Sequence, residues 1–303
     1  MLSEYEERPA RKICLTLWEA MMKAVKEVRS FRNAVRLFPL TLILAALAIP
    51  TCKANESPLA VPSGTILPIR LNTTISSAKS KAGEEITGRI MQDVPLPSGA
   101  KIRAGSKVVG HIVGVNAATT GTGGSISIQF DKLISSHQTI AITTNLRAIA
   151  GFMGVIEAQT PTTSPGQGDN IYALTTVQVG GDVAYGFGGP VTTSTNADDV
   201  VGKELKDGVL GQVRAKEGTE CRGAIDGNDR PQALWVFSSD ACGAYRLEHV
   251  SIAHAGRSNP VGVIVLASDE SNLKIRAGAG MLLRVTAGGT KAQQSDDRGR
   301  AAS

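Results

Sequence analysis

The chain has 303 residues, 42% of them hydrophobic and only 4% aromatic, with a net charge of +5 and an isoelectric point near 9.1. That basic excess is confined to the first 54 residues: from Asn55 onward, 23 Lys and Arg stand against 22 Asp and Glu, a net of +1. Phosphate recognition needs a positive surface, so the balanced remainder excludes nucleic acid as an expected partner, and its length suits one large domain or two small ones.

The first predicted element is an apolar run, Leu37 to Pro50, preceded by Lys23, Lys26, Arg29, Arg32 and Arg36. At 14 residues it has the length of a signal-peptide core and falls short of the roughly 18 apolar residues that span a bilayer. The chain is therefore expected to be exported, to the periplasm or outside the cell. The arm upstream is long for a signal. Either translation starts at Met21 or Met22, or residues 1–35 form a cytoplasmic helix, with Trp18, Met22, Val25 and Val28 along one face, and the run stays as an inner-membrane anchor. Membrane contact is then expected only through residues 37–50. Cleavage fits after Ala48 or Ala54, and Pro50 and Thr51 before Cys52 argue against a lipidated cysteine.

From Asn55 the pattern turns to short strands. Leu67, Ile69 and Leu71 alternate with polar or turn-forming neighbours, as do Ile126, Ile128 and Phe130, and each such segment buries one face. Between Val108 and Val115 both faces are apolar and Gly110 and Gly114 are interspersed, as a strand covered on both sides or bent at a barrel corner requires. Pro62-Ser63-Gly64, Pro97-Ser98-Gly99 and the polar run Asn116 to Gly124 are predicted turns, the last a long hairpin tip. Ala148 to Gln159 lacks strand alternation and carries Ile149, Phe152, Met153 and Ile156 at helical spacing, predicting a short helix ended by the loop Thr160 to Asn170. Strands are then expected over Thr176 to Val179, Val209 to Arg214, Ala233 to Phe237, Val261 to Leu266 and Leu273 to Val285, with sharp backbone changes at Gly180-Gly181 and Gly186 to Gly189. The polar tail Thr286 to Ser303 is expected to be disordered.

The expected fold is thus mainly β, a barrel or sandwich of short antiparallel strands with one short helix. Its divisions fall at residues 1–54 (arm and signal or anchor), 55–147 (barrel part), 148–270 (helix and Gly-rich β region), 271–285 (closing strand) and 286–303 (tail). One echo stands out: Ile102-Arg103-Ala104-Gly105 recurs as Ile275-Arg276-Ala277-Gly278, each before an apolar run. Four residues are not a repeat architecture, but they can mark two equivalent strand entries in one barrel. Cys221 and Cys242 are the only cysteines beyond the leader, and in an oxidising compartment they are expected to pair. The alternative is two buried thiols.

Val61-Pro62-Ser63-Gly64-Thr65, Leu96-Pro97-Ser98-Gly99-Ala100 and Ile102 to Gly110, taken together, resemble the C-terminal β-barrel of the TrbI-like scaffold protein of type IV secretion systems. The resemblance covers about 90 residues plus a late strand at Ile275 to Val285, and it implies a barrel closed from parts distant in sequence. Family members also carry a proline-rich linker and a helical pair, whereas here the chain passes almost directly from the apolar run to the first strand. The wider pattern, with Trp235 and the Cys221 to Cys242 segment, also looks like a group of exported bacterial β proteins, from which no activity follows.

No residue set predicts catalysis, a cofactor or a metal. His249 and His254, five apart, would face opposite sides of a strand. Asp226, Asn228 and Asp229 resemble the start of a calcium loop without its later acidic ligand, and a polar turn accounts for them. Ser251 near His254 lacks a nucleophile elbow, and Gly180 to Gly189 lacks the Lys-Ser or Lys-Thr ending of a phosphate loop. A carbohydrate platform would have to draw on Tyr172, Tyr185, Phe187, Trp235, Phe237 and Tyr245. The expected function is a noncatalytic cell-envelope scaffold or binding module whose partner is another envelope protein or surface; the alternative is an envelope hydrolase whose site is assembled from distant segments.

Overall fold

The computed structural model describes residues 59–136, 138–163, 174–186, 188–214 and 230–288. The expected signal or anchor, the Asp226 to Asp229 turn, Cys221, and the tail beyond Gly288 lie outside the described residues. Eight strands precede the helix Phe152–Gln159: β1 Ile66–Leu71, β2 Ile75–Ser76, β3 Glu85–Ile90, β4 Val94–Pro95, β5 Lys101–Ile102, β6 Lys107–Asn116, β7 Ser125–Ser135 and β8 Gln138–Ala150. After it come β9 Thr162–Thr163, β10 Leu174–Val177, β11 Asp182–Tyr185, β12 Pro190–Thr193, β13 Asn196–Leu205, β14 Gly208–Gly211 and β15 Gln232–Ala233. The chain then returns with β16 Gly243–Tyr245, β17 Val250–Ala255, β18 Ile264–Ser268, β19 Lys274–Ile275 and β20 Gly280–Gly288. The fold is mainly β, as the alternation predicts.

Strands β8, β20, β1, β3, β6 and β7 pair in that order, and β7 pairs back onto β8, closing a six-stranded antiparallel barrel. Closure removes the edges that an open sheet would expose. The barrel core holds Leu67, Ile69, Ile86, Ile112, Ile128, Phe130, Leu133, Met281 and Leu283, all almost fully buried. Long strands bend to close it. On β7, Phe130 opposes Gly110 and Lys132 opposes Val109, so Asp131 is an extra residue that moves the inward positions from Ile126, Ile128 and Phe130 to Leu133 and Ser135. Gly110 is required there: a Cβ would lie 2.1 Å from the Gln129 carbonyl oxygen.

The Ile-Arg-Ala-Gly echo marks two equivalent strand entries in this barrel. Gly105 N donates to Ile90 O (2.7 Å) and Ile90 N to Ser106 O (2.9 Å); likewise Gly278 N donates to Leu71 O (2.8 Å) and Leu71 N to Ala279 O (2.9 Å). Even the side-chain cap is repeated, since Asp93 Oδ1 accepts from Ala104 N and Thr74 Oγ1 from Ala277 N. The β3–β4 turn β5–β6 unit is therefore matched by β1–β2 and β19–β20, whose two halves lie some 200 residues apart. Leu273 to Val285 is accordingly two strands, because Gly278 (φ 90°) turns the chain between them.

A second core lies on the outer side of the barrel wall, where Ile66, Ala148, Ala150 and Leu282 meet Val155 and Ala158 of the helix and the segment Leu234 to Phe237. This explains the extent of β8. The run Leu146 to Ala150 is buried on both faces, so it lacks strand alternation, yet it pairs with β20 and with parallel β16; the helix begins only at Phe152. The predicted strand at Ala233 to Phe237 is likewise mostly a buried turn, with only Gln232–Ala233 in strand and Trp235 at φ 54°. β20 extends through Thr286, Ala287 and Gly288 by pairing with Ile142 to Thr144, three residues into the expected tail.

The strands β9 to β15 form a separate antiparallel meander of seven, curved as a half-barrel around a small core of Ala184, Val191, Val201 and Val209. β11 to β13 escape the sequence reading because β11 and β12 are only four residues long and β13 buries only Val201. Strands β17 and β18 instead extend the barrel sheet beyond β7. No helix among the described residues is long and apolar enough to cross a membrane.

Candidate functional site

The meander meets the barrel along a seam of buried polar groups. Gln92, in the bend after β3 and 1% exposed, accepts at Oε1 from Trp235 N (2.8 Å) and Val209 N (3.1 Å) and donates from Nε2 to Val209 O (2.9 Å). Asp182 of β11 accepts at Oδ2 from both Ser239 N (2.6 Å) and Ser239 Oγ (2.7 Å). Arg147 of β8 donates to Arg214 O (2.5 Å), and burial, reinforced by the nearby Arg284 charge, holds its guanidinium pKa down to about 10. Arg214 in turn forks onto Asp199 at 2.7 and 3.0 Å, which raises the guanidinium pKa and lowers that of the carboxylate. The seam is constructed from backbone groups that need partners once water is excluded.

Beside this seam open two adjoining cavities that share Ala158 and Gln178. The first, about 340 Å³, is lined by Met91 and Trp235 from the barrel side and by Thr176, Glu204 and Val209 from the meander. The second, about 390 Å³, lies against the helix and includes Glu157, Val177, Tyr245 and Arg246, with Arg246 and Glu157 paired at 3.1 Å. Both volumes fall in the range of small-ligand sites. Gln178 is 4% exposed; its Nε2 donates to Phe237 O (2.9 Å), which leaves Oε1 buried with no hydrogen-bond partner. Glu204 Oε2 is also buried without a partner, and burial pushes that carboxyl above its ordinary pKa. The exposed Val177 of β10 lines the second cavity, whereas Phe152, Met153 and Ile156, also exposed on the helix, line neither.

The residues weighed from sequence fall elsewhere. His249 precedes β17 in a left-handed conformation (φ 58°) and lies 3.3 Å from Asp269 and 3.5 Å from Glu270, all three exposed. His254 sits within β17, its Nδ1 2.5 Å from Val263 O and its Nε2 against Ser258 Oγ. The two histidines therefore serve separate contacts. Ser251 is exposed on β17 and is not the hydroxyl that meets His254. The Gly180-Gly181 turn (φ 103° and 126°) joins antiparallel β10 and β11, so it precedes a strand and not the helix of a phosphate loop.

Of the aromatic set, Trp235 and Phe237 belong to the second core, with the Arg70 guanidinium 5.9 Å from the indole centroid. Tyr245 Oη accepts from Cys242 N (2.9 Å) and faces the second cavity, while Tyr185 lines a third, polar hollow on the meander. Tyr172 and Phe187 lie outside the described residues. Cys242 lies among the described residues, and the other three cysteines lie outside them.

Sequence reasoning passed over Gln92, Gln178 and Glu204. Gln178 carries a faint signal, a lone amide between Val177 and Val179, whereas nothing local distinguishes the other two. No protein-family model matches the chain, and no curated protein matches it. What the geometry defines is a class: a closed β-barrel carrying a β-meander, with a ligand-sized cleft where the two meet.

Proposed function

We propose that this chain is a noncatalytic exported protein of the cell envelope, a scaffold or binding module that engages a protein or surface component through the cleft and its rim. The observation that carries the reading is a pair of adjoining cavities of ligand size, one lined by the exposed Val177 and both bordered by a helix that also exposes Phe152, Met153 and Ile156, since exposed apolar side chains favour contact with a partner. Export is supported by the basic-flanked apolar run and by the charge balance beyond Asn55, and a disulfide expected between Cys221 and Cys242 would suit an oxidising compartment. The TrbI-like resemblance adds the scaffold role. Fractionation with N-terminal sequencing, followed by cross-linking mass spectrometry in the native envelope, tests both halves. An envelope location and cross-links concentrated at the helix rim are expected; full-length chain in the cytosol, or cross-links that avoid the rim, would overturn the proposal.

A second reading, an envelope hydrolase, draws on one observation: Gln178, Glu204 and Trp235 come from distant segments into one cavity, and a carboxyl with a raised pKa is a feature of general acids. Turnover of a substrate that Glu204→Gln abolishes without loss of fold would establish it in place of the first.

A further inference from the structure

We propose that His249, Asp269 and Glu270 form a site for a divalent transition-metal ion, with Zn2+ the fitting case. The inference goes beyond the binding-module reading, and none of the three residues lines either cavity. One ligand atom from each lies within 4.8 Å of the other two. His249 Nδ1 is 3.3 Å from Asp269 Oδ1, and Nε2 is 3.5 Å from Glu270 Oε2. Both separations exceed the roughly 2.7 to 2.9 Å of a charge-assisted N–H···O bond. The first matches two ligands on one ion: at about 2.1 Å each in tetrahedral geometry, they stand about 3.4 Å apart. Both ring nitrogens also face a carboxylate oxygen, yet a neutral imidazole donates from only one of them. The other then turns its lone pair toward an anionic oxygen, and a shared cation removes that conflict. Among the described residues, no Lys or Arg pairs with either carboxylate.

The backbone holds the three in place. His249 stands at the entry to β17 and Asp269 just beyond β18, and Asp269 N donates to His249 O (3.2 Å). Ser268 N donates to Gly124 O (2.8 Å) and Gly124 N to Ser271 O (2.9 Å), so the two carboxylates ride on a turn tied at both ends to the hairpin tip. Gly123 lets that turn close, since a Cβ there would run into the Ser268 carbonyl oxygen. In this arrangement His249 Nδ1 and the Asp269 carboxylate bind the ion directly, water completes the shell, and Glu270 accepts from Nε2–H, which fixes the tautomer. An imidazole ligand beside a carboxylate favours Zn2+ over Mg2+, which prefers oxygen ligands and keeps its waters.

The test is imidazole-nitrogen NMR of the full chain, labelled at its four histidines and titrated with Zn2+ and, separately, Mg2+. Zn2+ should shift His249 Nδ1 as coordination does and leave Nε2 protonated, with Mg2+ binding weaker by about tenfold or more. Asp269→Asn and Glu270→Gln should each weaken Zn2+ by about tenfold, read at His249. His249→Asn, a residue that tolerates the left-handed backbone at φ 58°, should remove the corresponding step from a calorimetric Zn2+ titration. All three positions are exposed, so an unchanged Tm is expected and shows that the fold is kept. A His249 ring unmoved at millimolar Zn2+, an equal response to Mg2+, or a Zn2+ affinity indifferent to both Asp269→Asn and Glu270→Gln would overturn the inference. The binding-module reading is tested separately, by cross-links at the helix rim, and stands or falls apart from these results.

Discussion

Replacing Gln92 by Leu is the most direct probe of how the barrel carries the meander. The substitution nearly conserves volume and removes three hydrogen bonds, to Trp235 N, Val209 N and Val209 O. Val209 O keeps a second donor in Leu234 N, so the net damage is two orphaned backbone N–H groups in a site 1% exposed. At about 1 to 3 kcal/mol for each unsatisfied buried group, the expected loss is roughly 2 to 6 kcal/mol. For a folding unit of this size that corresponds to a fall in Tm of roughly 5 to 20 °C. Because Gln92 joins two separate sheets, the loss should fall chiefly on the meander, and the single calorimetric transition should broaden or split. Calorimetry and urea denaturation followed by circular dichroism measure both effects. A loss below about 1 kcal/mol with an unchanged single transition would refute the view that this side chain clamps the seam.

Cys242 is expected to form a disulfide with Cys221; non-reducing peptide mapping should find the linked pair, and Cys242→Ser should cost roughly 2 to 5 kcal/mol. Recovery of Cys221 as a freely alkylated thiol in native protein would refute the pairing. Asp93 is held below its ordinary pKa first by Lys101 Nζ (2.5 Å) and then by Ala104 N, so its contribution is present above its unfolded pKa near 4 and is lost as pH falls through the lowered folded value. Asp93→Asn should therefore lower the urea midpoint at pH 7 and converge on the wild type as pH falls through the lowered folded value, with the gap reduced in high salt because the pair is exposed. Parallel pH profiles for the two proteins would sink this assignment.

The sequence by itself determined the elements whose burial is one-sided. Ile126, Ile128 and Phe130 alternate because one face of β7 meets the core and the other does not, and the turn at Asn116 to Gly124 is legible in its residues alone. The echoed Ile-Arg-Ala-Gly segments announced two equivalent strand entries because the left-handed glycine, the buried isoleucine and the following strand are all local requirements. Tertiary structure alone decided the rest. Leu146 to Ala150 became strand because β20 and β16 lie on its two sides, and Trp235 was turned inward by the Gln92 amide, a residue 143 positions away. The meander was obscure because its strands bury little, so the pairing partners that define it leave no hydrophobic period. The cleft was invisible for a related reason: Gln178 and Glu204 are ordinary polar residues in sequence, and only the packing of the meander against the barrel takes away the water that would otherwise have satisfied them.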